Sequence, residues 1–179
     1  MGSRIIRSGI IAAALALIPC APVLAAVDPM IAASTGKGEW VTWGGDAGFQ
    51  RYSPLDQINA GNVKTLRIAW RAPLLPGPDG RPTLFSEATP LMVGGVLYLP
   101  NGANQITAID PGSGKTLWTF TPPPSGAVGR REGGRFYRSL AYWTDGKQAR
   151  LFEHGDGRLM SIDAATGKID PAFGKDGQI

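Results

Sequence analysis

The chain has 179 residues and a formal net charge of +4, and 43% of its residues are hydrophobic, enough for one ordinary packed core. The charge excess is too small to mark a nucleic-acid binder. Cys20 is the only cysteine, so the chain beyond it has no disulfide, no thiolate nucleophile and no cysteine metal ligand.

At the N-terminus Arg4 and Arg7 precede an apolar run from Ile10 to Ile18, followed by small residues around Ala25 and Ala26. This is the pattern of a cleavable secretory signal, expected over residues 1–25 and leaving a mature chain of 26–179. The run is shorter than the roughly 20 residues that cross a bilayer, so no transmembrane span is expected after cleavage. Pro19, where a small residue would precede a lipidated cysteine, argues against an anchor at Cys20. Loss of the two signal arginines lowers the net charge from +4 to +2.

Helical periodicity beyond the leader is confined to a weak pattern around Gln57–Leu66. Strands are expected at Leu91–Val93 and Val96–Leu99, split by the hairpin signature Gly94-Gly95, and at Ser139–Trp143 and Ala149–Glu153, split by Asp145-Gly146. Pro73–Thr83 and Thr121–Arg135 are too rich in proline and glycine for strands and read as loops. The latter leads into a basic stretch (Arg130, Arg131, Arg135, Arg138) whose glycines suit a solvated loop rather than a phosphate-binding face.

The chain repeats itself without a gap. Leu97–Lys115 (LYLPNGANQITAIDPGSGK) aligns with Arg150–Lys168 (RLFEHGDGRLMSIDAATGK), a period of 53 residues. That length suits a propeller blade of four short strands. In the first copy Asp110 begins a tight turn, Gly114 can take positive φ, Lys115 leaves toward solvent, and Trp118 is placed to cover the seam to the next blade. In the second copy Pro171 stands where that tryptophan would be. The mature length, 179 minus 25 or 154 residues, makes just under three blades, whereas closed propellers have about four to eight. We therefore expect the N-terminal part of a longer protein, the alternative being several short chains assembled into one ring.

Ala108–Trp118 resembles the tryptophan-docking motif of the quinoprotein dehydrogenases that use pyrroloquinoline quinone (PQQ). Trp43–Val63 (WGGDAGFQRYSPLDQINAGNV) resembles their opening strand, and Ser86–Pro100, Tyr137–Trp143 and Gly155–Lys168 extend the likeness over residues 39–179. The resemblance implies an all-β fold, an eight-bladed β-propeller with PQQ in an axial funnel beside Ca²⁺, of which this chain supplies roughly two to three blades. Cofactor-binding candidates follow by motif position. Arg138 would pair with a PQQ carboxylate and Glu87 would contact the cofactor's polar edge. His154, at a strand end, can also face the funnel. Trp143 is read as a core side chain.

In the resembled reaction an aspartate takes the hydroxyl proton, hydride passes to the quinone and Ca²⁺ polarises the receiving carbonyl. The aspartate and the Ca²⁺ ligands are expected beyond residue 179, so no catalytic or metal residue is assigned. Asp46 and Asp56 belong to the opening motif and Asp110 to the docking turn. No cysteine pair precedes Arg138, and Ile169–Gly174 (IDPAFG) resembles the glucose-type branch. A sugar or polyol is therefore expected in preference to a simple alcohol, with a respiratory quinone or cytochrome as acceptor and the periplasm as location. The alternative from another class is a secreted propeller that scaffolds protein assembly without a cofactor.

Overall fold

The computed structural model of the protein describes residues 35–72, 87–101, 105–123, 140–155 and 157–179. The expected leader, most of both proline-rich loops, and Arg138 lie outside these residues. Among the described residues seven strands form two antiparallel sheets. The first has the order β1 (Leu91–Val93), β2 (Val96–Pro100), β3 (Ile106–Ile109) and β4 (Thr116–Phe120). The second has the order β5 (Ala141–Thr144), β6 (Ala149–Gly155) and β7 (Arg158–Asp163).

Local chemistry accounts for the turns. Gly94 and Gly95 adopt φ of 58° and 78°, the doubly left-handed conformation of a two-residue hairpin closed by the Val93↔Val96 pair. Between β5 and β6, the Asp145 carboxylate accepts from the amides of Lys147 and Gln148 (2.8 and 2.7 Å). Gln57–Leu66 forms turns with a single 3₁₀ turn at Val63–Thr65, not a longer helix. The reason is side-chain competition: Asn62 Oδ1 accepts from the Asn59 amide, Asn59 Oδ1 accepts from Gly61, and Asn62 Nδ2 donates to the Gln57 carbonyl.

The core lies between the sheets. On one face of the first sheet the pairing aligns Leu91, Tyr98, Ala108 and Trp118 in a cross-strand row. In the second, Tyr142, Leu151 and Ile162 align likewise. These side chains belong to one cluster with Ile106, Phe120, Leu140 and Met160. Tyr98 and Trp118 cross to the second sheet, both donating to the carbonyl of Ala164 at 3.2 Å. The segment before the first sheet joins its edge through Trp40, which exchanges backbone hydrogen bonds with Met92 (2.7 and 3.0 Å).

The outer edge of the second sheet differs from that of the first. Where β4 is continuous, the neighbour of β7 is split: Ile169 bridges Ile162 and Gln178 bridges Met160, with Pro171–Asp176 bulging between. Phe173, in the bulge, packs edge-on against Phe152 with centroids 5.5 Å apart. Gly177 has φ of 82°, and a Cβ there would collide with Ile169.

Antiparallel order sorts the connections to two ends. The starts of β1 and β5, the β2–β3 and β6–β7 connections and the exit of β4 lie at one end. The Gly94-Gly95 and Asp145-Gly146 hairpins and both aspartate turns lie at the other. A hydrogen bond from Arg158 to the Pro123 carbonyl joins corresponding ends of the two sheets.

Candidate functional site

The end that carries the repeat is built for packing. Asp110 Oδ1 accepts from the Ser113 amide (2.7 Å) and hydroxyl (2.6 Å), while the Asp110 carbonyl accepts from Gly114 (2.8 Å). The second copy repeats this: Asp163 Oδ1 accepts from the Thr166 amide (2.8 Å) and hydroxyl (2.7 Å), and its carbonyl accepts from Gly167 (2.8 Å). The bonds from Ser113, hydroxyl first, hold the Asp110 carboxyl below its ordinary value.

Each turn seats a tryptophan from earlier in the chain. Trp70 donates to the Pro111 carbonyl (2.8 Å), and its ring is so close to Gly114 that a Cβ there would lie 2.6 Å from Cδ2. Trp118 lies over Gly167 in the same way, 2.5 Å from a Cβ built there. Both glycines have positive φ, 73° and 71°, so the turn and the close approach require the same residue. The expectation that Trp118 covers the seam between blades holds; Trp70, its counterpart, was not legible as such. At this same end Pro171, Asp163 and Arg150 help to line a cleft of about 260 Å³. Arg150 pairs with Asp170 at 3.0 Å and lies 5.4 Å from the Trp143 ring centroid. Trp143 is 42% exposed, which corrects its reading as core: strand alternation turns Tyr142 to the cluster and Trp143 outward.

The candidate cofactor residues belong to the opposite end. Glu87 precedes β1 and is exposed. His154 is exposed on the last turn of β6, opposite Leu159. Arg138 precedes β5, whose start is at this end, but is itself outside the described residues. The topology thus brings Glu87 and His154 to one end of neighbouring sheets and keeps them away from the docking turns.

Three features of this end were missed by sequence reasoning. Asn101 and Gln105, 4% and 7% exposed, brace the β2–β3 connection through an amide pair (2.8 Å), and Gln105 Nε2 reaches Thr121 beyond β4 (3.2 Å). Glu153 is 2% exposed on β6, its side chain on the face opposite His154. Arg158, at the start of β7, donates to the Pro123 carbonyl (2.8 Å) and to Gln178 Oε1 (3.0 Å). A polar residue inside an alternating apolar strand is the signal that marks Glu153; the Arg158 contacts join segments 20 and 35 residues apart, and the Asn101–Gln105 pair reaches Thr121 only once β4 is in place.

PQQ carries three carboxylates and an ortho-quinone, so it needs cationic and hydrogen-bonding neighbours. The donors suit it in sign and kind: Arg158 has a guanidinium with a buried Nε–H lacking an acceptor, and His154 presents an exposed imidazole. Among the described residues no three His, Cys, Asp or Glu side chains cluster as metal ligands would, and no helix is long and apolar enough to cross a membrane.

Four-stranded antiparallel units linked by tryptophans that dock on the next unit's turn define blades of a β-propeller. A family profile described as PQQ: Glucose/ethanol/alcohol dehydrogenase, beta-propeller domain covers residues 40–179, and the chain belongs to that family. It is 38% identical over 165 residues to the alcohol dehydrogenase (quinone), dehydrogenase subunit, of Gluconobacter oxydans (strain 621H), which covers 88% of this chain and 21% of that protein. It is 32% identical over 162 residues to the glycerol dehydrogenase large subunit of the same organism, covering 84% of this chain and 21% of that one. The crystal structure of quinohemoprotein alcohol dehydrogenase from Comamonas testosteroni superposes with a TM-score of 0.65 at 34% identity, over 82% of this chain and 21% of that structure. The chain thus spans about a fifth of the length of these relatives.

Proposed function

We propose that this chain forms the first blades of a periplasmic quinoprotein dehydrogenase that oxidises a sugar, polyol or alcohol with PQQ and passes the electrons to a respiratory quinone or cytochrome. The observation that carries the proposal is the family match over residues 40–179, joined to a fold that puts Glu87 and His154 at the end opposite the docking turns. PQQ, when bound, supplies the redox chemistry. The chain's own part is to hold it: Arg138 pairs its guanidinium with a carboxylate, Glu87 accepts from the polar edge, and His154 offers a hydrogen bond from the end of β6. No residue of this chain is assigned here as a Ca²⁺ ligand or as the aspartate base.

A polyol or sugar is preferred as substrate because of IDPAFG at 169–174 and the absence of a cysteine pair before Arg138. A relative named as a glycerol dehydrogenase fits a polyol, and those named as alcohol dehydrogenases keep simple alcohols in the test.

The test expresses the whole reading frame and follows dye reduction by sugars, polyols and alcohols with PQQ and Ca²⁺ added. Reduction that depends on PQQ is expected; its absence with every substrate would overturn the dehydrogenase assignment. Arg138→Ala should weaken PQQ binding, and unchanged affinity would remove Arg138 from the site.

A further inference from the structure

We propose that residues 67–72 are an outer strand of the propeller's last blade. The opening of the chain would then close the ring by pairing with a later strand of the same protein, in the part of the family's length that this chain does not span. The inference rests on blade geometry and on family membership, and it is independent of the substrate and of the acceptor.

Two tryptophans carry it. Trp118 stands on β4, the outer strand of the first sheet, and donates to the carbonyl of Ala164 in the turn of the second. Trp70 donates to the carbonyl of Pro111, the residue 53 positions before Ala164, in the corresponding turn of the first sheet. Each ring also lies against the positive-φ glycine of its turn, Trp70 on Gly114 and Trp118 on Gly167. The two docks are the same contact made twice, one repeat apart. Trp70 therefore occupies the place of a β4-type strand, in a blade that precedes the first sheet around the ring.

The rest of that blade is not among the described residues. Before residue 66 these hold 3₁₀ turns at Thr35–Lys37 and Val63–Thr65 and the single bridge from Trp40 to Met92, with no strand. Nor can either sheet take residues 67–72 at the equivalent position. The place beside β3 is filled by β4, and the place beside β7 by Ile169 and Gln178. Among the described residues 67–72 make no backbone hydrogen bond, and Leu66 and Ile68 are 52% and 66% exposed. Exposed apolar side chains beside unpaired ladder groups are a template for a further strand. The chain spans about a fifth of the length of its relatives, which leaves room for the missing blades, and a closed ring sets its last blade beside its first.

The experiment uses the protein with its whole reading frame, without cofactor. A photoreactive residue, p-benzoylphenylalanine, replaces Arg67, and hydrogen exchange is followed by mass spectrometry on the unaltered protein, Ile68→Pro and Ala69→Pro. Irradiation should join residue 67, within one molecule, to a peptide from the last blade. The amides of 67–71 should exchange roughly a hundredfold more slowly than in an unstructured peptide. Neighbouring residues of an outer strand turn their N–H groups to opposite sides, one to the partner strand and one to solvent. The two proline variants should therefore differ: one should speed exchange in the last-blade peptides roughly tenfold, and the other should change it less than about threefold. Cross-links confined to residues 35–179, or joining two molecules, would overturn the proposal. So would unprotected amides at 67–71, or equal effects of the two prolines, which would describe a packed loop. If neither proline variant folds, the cross-link and the exchange of the unaltered protein decide the matter. Both are read without PQQ, so a failure of dye reduction leaves them standing.

Discussion

At the carbonyl of Ala164 two aromatic donors converge, Tyr98 from β2 and Trp118 from β4, each at 3.2 Å. A carbonyl has two lone pairs and can satisfy both. Burial first, then the neighbouring Tyr142 and Asp163, push the Tyr98 phenol from 10.0 up to about 12. Because the folded value lies above the unfolded one, the stabilisation is complete below pH 10 and is lost as pH rises toward 12. Tyr98→Phe should cost about 1 kcal/mol in urea denaturation at neutral pH and flatten the loss of stability between those limits. An unaltered alkaline profile in that variant would assign the loss to other groups. For Asp110 the sign is opposite: its folded value lies below 3.8, so its contribution is present above that pH and disappears on acidification. In NMR titrations Ser113→Ala should move the Asp110 midpoint back up toward 3.8. Gly167→Ala is a sharper test of docking, since the new methyl meets both positive φ and the Trp118 ring. We expect a loss of roughly 1–3 kcal/mol and an altered tryptophan emission spectrum.

Among the elements, those set by neighbours in sequence were legible. Gly94-Gly95 and Asp145-Gly146 marked hairpins because their conformations depend on two or three residues, and β1, β2 and β6 lie where the β-rich runs beside those signatures placed them. The weak helix at 57–66 was not, because apolar spacing there is outweighed by asparagine side chains that capture the backbone. Trp70 escaped because the carbonyl it reaches is 41 residues away. A tryptophan about one repeat before Trp118 was the available signal. The split outer edge of the second sheet was legible only as a lost tryptophan: Pro171 lacks the N–H of a continuing ladder strand, and the bulge that follows is a consequence. Gly177→Ala should release the 169–179 hook, because Ile169 occupies the space its methyl needs. The check is loss of exchange protection at Leu159 and Ser161, whose amides bond to Ile179 and Gly177.

Across the molecule, the two ends divide the labour. One end closes blade on blade through near-identical aspartate turns; the other holds Glu87 before β1, His154 near the end of β6 and Arg158 at the start of β7. The family and the blade pattern were legible because they rest on contiguous motifs. The Arg158 contacts were not, because they join segments that meet only after both sheets have formed, and the amide pair at Asn101 and Gln105 was not, because its further bond to Thr121 needs β4 in place. Substituting both tryptophans, Trp70 and Trp118, with Phe should loosen the seams and lower the melting temperature. PQQ affinity should fall less than in Arg138→Ala, since the candidates Glu87 and His154 lie at the other end; the reverse order in fluorescence titrations would unite the two ends.

The forward reach of the docking tryptophans also sets a schedule for synthesis. Trp118 bonds to a carbonyl 46 residues further on, so the first sheet leaves the ribosome with its largest outer side chain unseated. At about 5–20 residues per second the wait is roughly 2–9 s, much longer than the microseconds in which a hairpin closes. The first sheet is thus latched only by the one made after it, and the nascent chain carries that edge open until Ala164 has emerged.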